Sequence, residues 1–194
     1  MKTKSTGLQI LPFASKKKWA AWLAKQHDRS AGVWLKLAKK GSDIPSVTYD
    51  EAVEVALCYG WIDGQGKGLN DEYWLQKYTP RGSKSIWSKI NKEKAEKLIA
   101  SGEMKPAGLK AIELAKQDGR WEKAYEGQRT MPVPDDFQAE LDKSPKAKSF
   151  FATLNSVNRY AILFRIHNAK KAETRTRRIR QFVEMLERGE KLYP

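Results

Sequence analysis

The chain has 194 residues, a formal net charge of +14 and 40% hydrophobic residues. A chain of this length can bury well over half of its unfolded surface, and its composition excludes a wholly disordered protein. The single cysteine, Cys58, excludes an intrachain disulfide. Because only His27 and His167 accompany it, the usual Cys/His zinc spacings are excluded as well. We therefore expect no metal and no cofactor.

The start of the chain predicts an extended segment, a helix and a strand. Leu8–Phe13 is a short extended run, and Ser15 is a good N-cap for the helix that follows. In Val33–Ala38 one side consists of Val33, Leu35 and Leu37, and Trp34 and Lys36 lie on the other. This alternation predicts a half-buried strand.

The next segment predicts a helix and a pair of strands. Thr48–Glu51 form a capping box, which marks the start of the helix. Two strands, Trp61–Gly68 and Tyr73–Thr79, are predicted around a glycine-rich turn at Gly64–Gly68. This turn matches neither the Walker pattern nor the dinucleotide fingerprint, because no helix opens after it to point amides at a phosphate.

From residue 88 onward the apolar residues recur with helical spacing. Six helices are predicted, beginning near Lys92, Pro106, Pro134, Pro145, Ser156 and Lys170. The proline-bearing stretch Gly127–Pro134 is the best boundary, and it separates an α+β region, residues 1–126, from a helical region, residues 127–194, unless the two pack as one domain. The predicted fold class is α+β, mainly α, with a small antiparallel sheet and helices in the N-terminal part and helices in the C-terminal part.

Basic residues concentrate in one stretch. Residues 143–180 contain eleven Lys or Arg and one acidic residue, Glu173, which places +10 in 38 residues. Such a stretch attracts phosphates and other anions without any sequence-specific contact. The basic residues expected at its surface are Lys171, Arg177, Arg178 and Arg180.

The N-terminus bears on localisation. Met1–Ser5 is basic, but the apolar run after it is short and is interrupted by Gln9 and Pro12, so it lacks the apolar region of a signal peptide. No segment approaches the roughly 20 apolar residues that a membrane span needs. We therefore expect a cytoplasmic protein with no membrane span.

Several motifs resemble those of the YdeI/OmpD-associated (bacteriocin-protection) family. In the N-terminal part they are Ala56–Gly64, Thr79–Arg81, Ser85–Ser88 with Asn91, and Gly102–Gly108. In the tail they are Ile166, Ala169–Lys171, Glu173–Arg175 and Arg178–Ile179. The resemblance covers most of the chain and implies an α+β fold and a loose link to antimicrobial or stress protection, but no reaction. It also carries a periplasmic expectation, from which this sequence departs because it lacks a signal peptide.

Polar, cationic and aromatic residues crowd between residues 63 and 87, and this mixture lines sites for anionic or planar ligands. Farther along the chain, Arg120 stands beside Trp121, where a guanidinium can stack on an aromatic ring or bind a ligand. The residues predicted to contact a ligand are Trp61, Asp63, Arg81, Trp87, Arg120 and Arg175.

No catalytic residue can be named. Cys58 follows apolar residues at the end of a helix, where the dipole disfavours a thiolate, so we expect a buried and inert thiol. His27 follows an apolar helical face and His167 lies between Arg165 and Lys170, so we expect neither to have the acidic partner that would tune a general base.

Arg175 is predicted to point toward the apolar stripe of its helix. On a wheel at about 100° per residue with Ile179 as the origin, Arg175 lies roughly 40° away. A guanidinium in that position needs an acceptor, because an unpaired buried charge is costly. We expect either a structural clamp, with Asp63 as the first choice of partner, or the base of a ligand site.

Three functions remain open. The first is a non-enzymatic binder of anionic ligands or polymers, non-specific nucleic acid included, carried by the basic C-terminal helices. The second is an enzyme or small-molecule receptor with a site around Asp63–Trp87, for which no nucleophile, metal set or cofactor loop can be named. The third is a protein-partner binding module. The first is favoured, and a steep salt dependence of polynucleotide binding distinguishes it from the others.

Overall fold

A computed structural model describes residues 7–127 and 130–194. The basic N-terminal stretch and part of the predicted boundary at Gly127–Pro134 lie outside the described residues. The chain divides into two compact units, Met1–Ala124 and Tyr125–Pro194. Within the described ranges, no helix is both long enough and apolar enough to cross a membrane.

The first unit contains a four-stranded sheet in the order β1-β2-β4-β3. Its strands are β1 (Ile10–Pro12), β2 (Val33–Ala38), β3 (Trp61–Gly68) and β4 (Tyr73–Pro80). β3 pairs antiparallel with β4, as predicted for the two strands around the turn. β4 also pairs antiparallel with β2, whereas β1 pairs parallel with β2. The sheet is therefore mixed, because the helix between β1 and β2 returns the chain to the same end of the sheet.

Four helices accompany this sheet, and their starts follow from capping residues. They are α1 (Lys16–Gln26), α2 (Tyr49–Cys58), α3 (Lys89–Ala100) and α4 (Pro106–Gln117). The Ser15 cap and the capping box at Thr48 are both present. α3 begins three residues before the predicted Lys92, because Ser88 caps it and its hydroxyl accepts the Asn91 amide at 3.1 Å.

The core of the first unit is rich in aromatic residues. The Trp19 ring stacks on Trp22 at 5.4 Å between centroids and lies 5.6 Å from the Tyr78 ring. β2 contributes its predicted alternate residues, since Val33, Leu35 and Leu37 are all buried against this core. Helices thus cover one face of the sheet.

The predicted strand Trp61–Gly68 is confirmed as β3, so the assignment of its glycine-rich part, Gly64–Gly68, to the turn is wrong. β3 carries a register shift between Asp63 and Gly66. The turn lies after it, where the Asn70 side chain accepts the amides of Glu72 and Tyr73 at 3.1 and 2.9 Å. The asparagine supplies the turn chemistry, and the glycines accompany an irregularity inside the strand.

The second unit is helical. Its helices are α5 (Asp135–Asp142), α6 (Pro145–Thr153), α7 (Ser156–His167) and α8 (Ala172–Glu187), which begin within two residues of the predicted positions. The buried side chains of its core include Phe137, Leu141, Phe151, Ile162, Ile166, Ile179 and Leu186. The predicted fold class, α+β with helices dominating, is confirmed.

Candidate functional site

Trp61 lies in the core, although it was predicted to contact a ligand. Its side chain is 1% exposed. The indole Nε1 donates a hydrogen bond to the carbonyl of His27 at 3.0 Å, which joins the start of β3 to the C-terminal end of α1. Its ring also packs edge-on against Trp22 at 5.9 Å. Trp61 therefore positions the sheet against α1.

Asp63 faces the helical side of the sheet. The Tyr49 hydroxyl donates to its Oδ2 at 2.8 Å. Asp63 lies opposite Tyr78 in the β3–β4 register, and the Tyr78 ring is fully buried. Burial, and then the charge of Asp63, raise the pKa of Tyr78 far above its usual value, so this phenol stays protonated.

Arg81 and Trp87 form a stacked pair beyond the end of β4. The Arg81 guanidinium carbon lies 3.6 Å from the centroid of the Trp87 ring, and its Nη1 donates to the carbonyl of Ile86 at 3.2 Å. The Trp87 ring meets Trp121 edge-on at 4.8 Å. Both indoles are buried, so these two rings hold the segment in place and are not open to a planar ligand.

Arg120 anchors the same segment from the end of α4. Its Nε donates to both carboxylate oxygens of Asp118, at 2.8 and 2.7 Å, and its Nη1 donates to the carbonyl of Ser85 at 2.8 Å. The cations over the Trp121 ring are Lys92 and Lys116, at 5.3 and 5.9 Å. Arg81, Trp87 and Arg120 are therefore brought together, whereas Asp63 and Trp61 belong to other surroundings.

Arg175 forms the predicted clamp with a different partner. Its Nε and Nη2 donate to the two carboxylate oxygens of Asp136 at 2.5 and 2.8 Å, and its Nη1 donates to the carbonyl of Ile166 at 2.9 Å. The choice of Asp63 as partner is wrong. Sequence alone does not show that the first turn of α5, which carries Asp136, packs beside α8.

We predict that Arg175→Ala lowers the free energy of unfolding by about 1–2 kcal/mol. The side chains of Arg175 and Asp136 are 29% and 46% exposed, so the pair contributes less than a buried one would, while the lost bond to Ile166 adds to the cost. Equilibrium unfolding in urea measures the change. The exposed control Arg177→Ala should stay within about 0.5 kcal/mol. Equal effects in the two variants would contradict the clamp.

The same pair has a defined pH dependence. The Arg175 guanidinium holds the pKa of Asp136 below its ordinary value of 3.8. A carboxyl group whose pKa is lower in the folded state stabilises the fold at pH values above its unfolded-state pKa. This stabilisation is lost as the pH falls through the folded-state pKa. The difference in free energy of unfolding between the native chain and Arg175→Ala should therefore shrink as the pH is lowered through the folded-state pKa of Asp136.

The basic residues of α8 and its N-terminal flank are only partly free. Lys171, Arg177 and Arg180 are exposed, as predicted. Arg178 is half-buried, and its Nη1 donates to the carbonyl of Arg165. Arg178 was predicted to lie at the surface with the others, but its contact caps the last turn of α7.

Cys58 is buried, which confirms its predicted position. Burial raises the pKa of its thiol to about 11, and the charge of Glu103 acts in the same direction. At neutral pH the thiolate fraction is therefore very small, and the group is a poor nucleophile.

The second face of the sheet brings together side chains that are far apart in the sequence. On β2, Trp34 and Lys36 point away from the core, and the antiparallel register places Lys77 opposite Trp34. Tyr73 lies on the same side of β4, and Lys67 of β3 pairs with Leu75, the next residue of β4 on that side. We call Trp34, Lys36, Lys67, Tyr73 and Lys77 the outer face.

Lysines and aromatic rings are in contact across the outer face. The Nζ of Lys36 lies 3.7 Å from the centroid of the Tyr73 ring, and the Nζ of Lys67 lies 4.5 Å from the centroid of the Trp34 ring. Both rings are half-buried and Lys67 is exposed. The four strands, all of whose residues are described, contain one acidic residue, Asp63, and it lies on the helical side. The outer face is thus aromatic and cationic without a carboxylate.

The signal for this face was partly visible in the sequence. The alternation in β2 predicted that Trp34 and Lys36 share a side. Lys67 was assigned to a turn, so its contact with Trp34 could not be predicted. The register of β3 against β4, which depends on the shift after Asp63, is what brings Lys67 to the outer face.

Comparison with known proteins places the chain in a family. Residues 11–111, half of the chain, match the family model described as Domain of unknown function (DUF8412). The chain belongs to this family. Residues 130–189 also match the model described as Bacteriocin-protection, YdeI or OmpD-Associated, which confirms the resemblance seen in the tail. The N-terminal motifs fall within the DUF8412 match. No curated protein and no solved structure matches the chain.

Proposed function

We propose that this DUF8412 chain is a non-enzymatic binder of anionic polymers, and that the outer face is its main contact surface. The observation that carries the proposal is the group of three lysines, Lys36, Lys67 and Lys77, on a sheet face that has no carboxylate among its strand residues. Such an arrangement attracts a polyanion through charge and releases counterions when it binds.

Net charge does not single out the C-terminal helices, because both units are basic to the same degree for their length. The unit 125–194 contains fourteen Lys or Arg and nine Asp or Glu, a net charge of +5, whereas residues 1–124 contain 23 and 14, a net charge of +9. The +10 of residues 143–180 is offset because acids on either side of it fold into the same unit. Two of them, Glu140 and Asp142, pair with Lys143 and Lys148 at 2.6 and 2.8 Å.

The proposal is tested by the salt dependence of binding to a single-stranded oligonucleotide and to heparin. The chain should bind both, and affinity should fall by orders of magnitude between low and moderate salt. The triple variant Lys36→Gln, Lys67→Gln, Lys77→Gln keeps part of each aliphatic stem and removes three charges. Its plot of log affinity for the oligonucleotide against log salt should be less steep by about 2, since each phosphate contact on a single strand contributes roughly 0.7.

The matched control removes three exposed charges from the second unit. Lys171→Gln, Arg177→Gln, Arg180→Gln should leave the salt dependence nearly unchanged. If the plot of log affinity against log salt becomes less steep in this variant and is unchanged in the outer-face variant, the contact surface is on α8. If the native chain binds neither polymer at low salt, the function is wrong.

We also propose a broad role in antimicrobial or stress protection. Its one support is the match of residues 130–189 to the Bacteriocin-protection, YdeI or OmpD-Associated family. Survival of cells with and without the chain under bacteriocin challenge tests it. Equal survival counts against the role.

A further inference from the structure

We propose that the outer face binds single-stranded nucleic acid, with bases stacked on Trp34 and Tyr73 and phosphates bound by Lys36, Lys67 and Lys77. This inference rests on the proposed function and names the class of polymer. Its distinguishing element is the pair of aromatic rings, which charge alone does not require.

The two rings have faces that a planar group can reach. Each is half-buried, and each has a lysine ammonium above it, at 3.7 Å for Tyr73 and 4.5 Å for Trp34. A lysine stem is flexible and its ammonium is strongly hydrated, so it can move from a ring to a phosphate. A base can then take its place, because every base has a π-face that stacks on an aromatic ring.

The buried leucine between the lysines favours a ligand with an apolar surface. Leu75 is 1% exposed, and the register places it between Lys36 on one side and Lys67 on the other. We expect the aliphatic stems of these lysines to cover it in the free protein, as lysine stems do on apolar surface. When the ammonium groups turn to phosphates, a stacked base can cover the leucine, whereas a sugar polymer offers little apolar area in exchange.

The spacing of the rings fits a strand that crosses the sheet. Trp34 pairs with Lys77, and Tyr73 stands four residues from Lys77 on β4. At roughly 3.3 Å per residue and one strand spacing, the two backbone positions are about 14 Å apart. The rings therefore take up bases that are not neighbours, with the lysines of the outer face between and beside them.

A single strand fits this face better than a duplex does. In a duplex the base faces are covered by neighbouring base pairs, and a protein meets mainly phosphates and groove edges. Stacking on protein aromatics needs splayed bases, as a single strand provides. Lysines placed around aromatic rings on an open sheet combine the two contacts that non-specific single-strand binding uses.

Three labelled probes separate stacking from charge. They are a single-stranded 20-mer of thymidine, a 20-mer of abasic sites with the same phosphates, and a 20-base-pair duplex. Fluorescence anisotropy at one fixed, low salt concentration gives the affinities. The native chain should bind the thymidine strand roughly tenfold or more tightly than the abasic strand, because each stacked base contributes a factor of that order. It should also prefer the strand over the duplex.

Variants of the two rings assign the preference to the outer face. Trp34→Ala and Tyr73→Ala should each lower affinity for the thymidine strand roughly tenfold and change affinity for the abasic strand and for heparin by less than about twofold. Trp34→Phe keeps a stacking ring and should recover most of the loss, which separates stacking from a folding defect. Tyr193→Ala, an exposed ring of the second unit, is the matched control and should bind as the native chain does.

The outcomes separate the two levels of the proposal. Equal affinity for the thymidine and abasic strands, or for strand and duplex, overturns the stacking inference and leaves the binding of anionic polymers intact. Loss of the preference in Tyr193→Ala, with retention in Trp34→Ala, overturns the placement on the outer face. Absence of binding to all three probes and to heparin overturns both the inference and the proposed function.

Discussion

Trp61→Ala is expected to lower the free energy of unfolding by about 3–5 kcal/mol, the range for removing a buried Trp or Phe side chain. The indole is almost fully buried, it packs against two other tryptophans, and its Nε1 bonds to the carbonyl of His27. The variant loses the burial, leaves a cavity and leaves that carbonyl without its donor. Equilibrium unfolding in urea, followed by far-UV circular dichroism, measures the change.

Two comparisons make this result specific. Trp61→Phe keeps most of the apolar contact but not the hydrogen bond, so its cost should be clearly smaller, about 1–2 kcal/mol. Trp34→Ala removes the same residue type from the other face of the sheet, where the ring is half-buried, and should cost about 1 kcal/mol. A loss in Trp34→Ala as large as in Trp61→Ala would contradict the assignment of the two faces.

Gly108→Ala is expected to destabilise the fold by about 1–3 kcal/mol, although alanine is the better helix former. A Cβ at this position in α4 would lie 2.5 Å from the carbonyl oxygen of Cys58 and 2.6 Å from that of Leu57. Backbone oxygens at the end of a helix cannot yield as a side chain can, so α4 has to move away from α2.

The sign of the change is the test. Thermal unfolding of Gly108→Ala should occur at a lower temperature than that of the native chain. Gly82→Ala is the control, since a Cβ there meets nothing within 4 Å, and it should stay within about 0.5 kcal/mol of the native chain. If Gly108→Ala is neutral or stabilising, α2 and α4 do not approach as closely as described.

This close approach also explains two of the sequence motifs. Gly60 has φ near +70°, and a Cβ there would lie 2.8 Å from the carbonyl oxygen of Ala107. The segments Ala56–Gly64 and Gly102–Gly108 therefore meet in space where the C-terminal end of α2 touches the start of α4. Their glycines are needed for packing, so the motifs describe the fold of the first unit rather than a reactive group.

Local patterns predicted most of the elements. Ser15, Thr48 and Pro106 mark helix starts because capping and proline geometry are local properties of the chain. The alternation in β2 predicted its two faces for the same reason. The parallel pairing of β1 with β2 was not predicted, because it depends on how α1 returns the chain.

The candidate site was less predictable, because its residues meet through tertiary contacts. The partner of Arg175 lies 39 residues away in sequence, and the contact of Lys67 with Trp34 joins two strands that are not adjacent in the sheet. From its residue type, Trp61 was predicted to contact a ligand. Arg178 was predicted, for the same reason, to lie on the basic surface. Burial, which residue type alone does not show, gives them structural roles.

The register shift in β3 bears on self-association. β3 is an edge strand, and an edge with regular, apolar backbone can pair with another chain and start aggregation. In β3 the shift after Asp63 disrupts the regular row of amides and carbonyls, and Gly64, Gly66 and Gly68 lower the tendency to add a further strand. Lys67 adds a charge that another chain would have to desolvate. The glycines and the lysine therefore protect this edge of the sheet against uncontrolled strand addition.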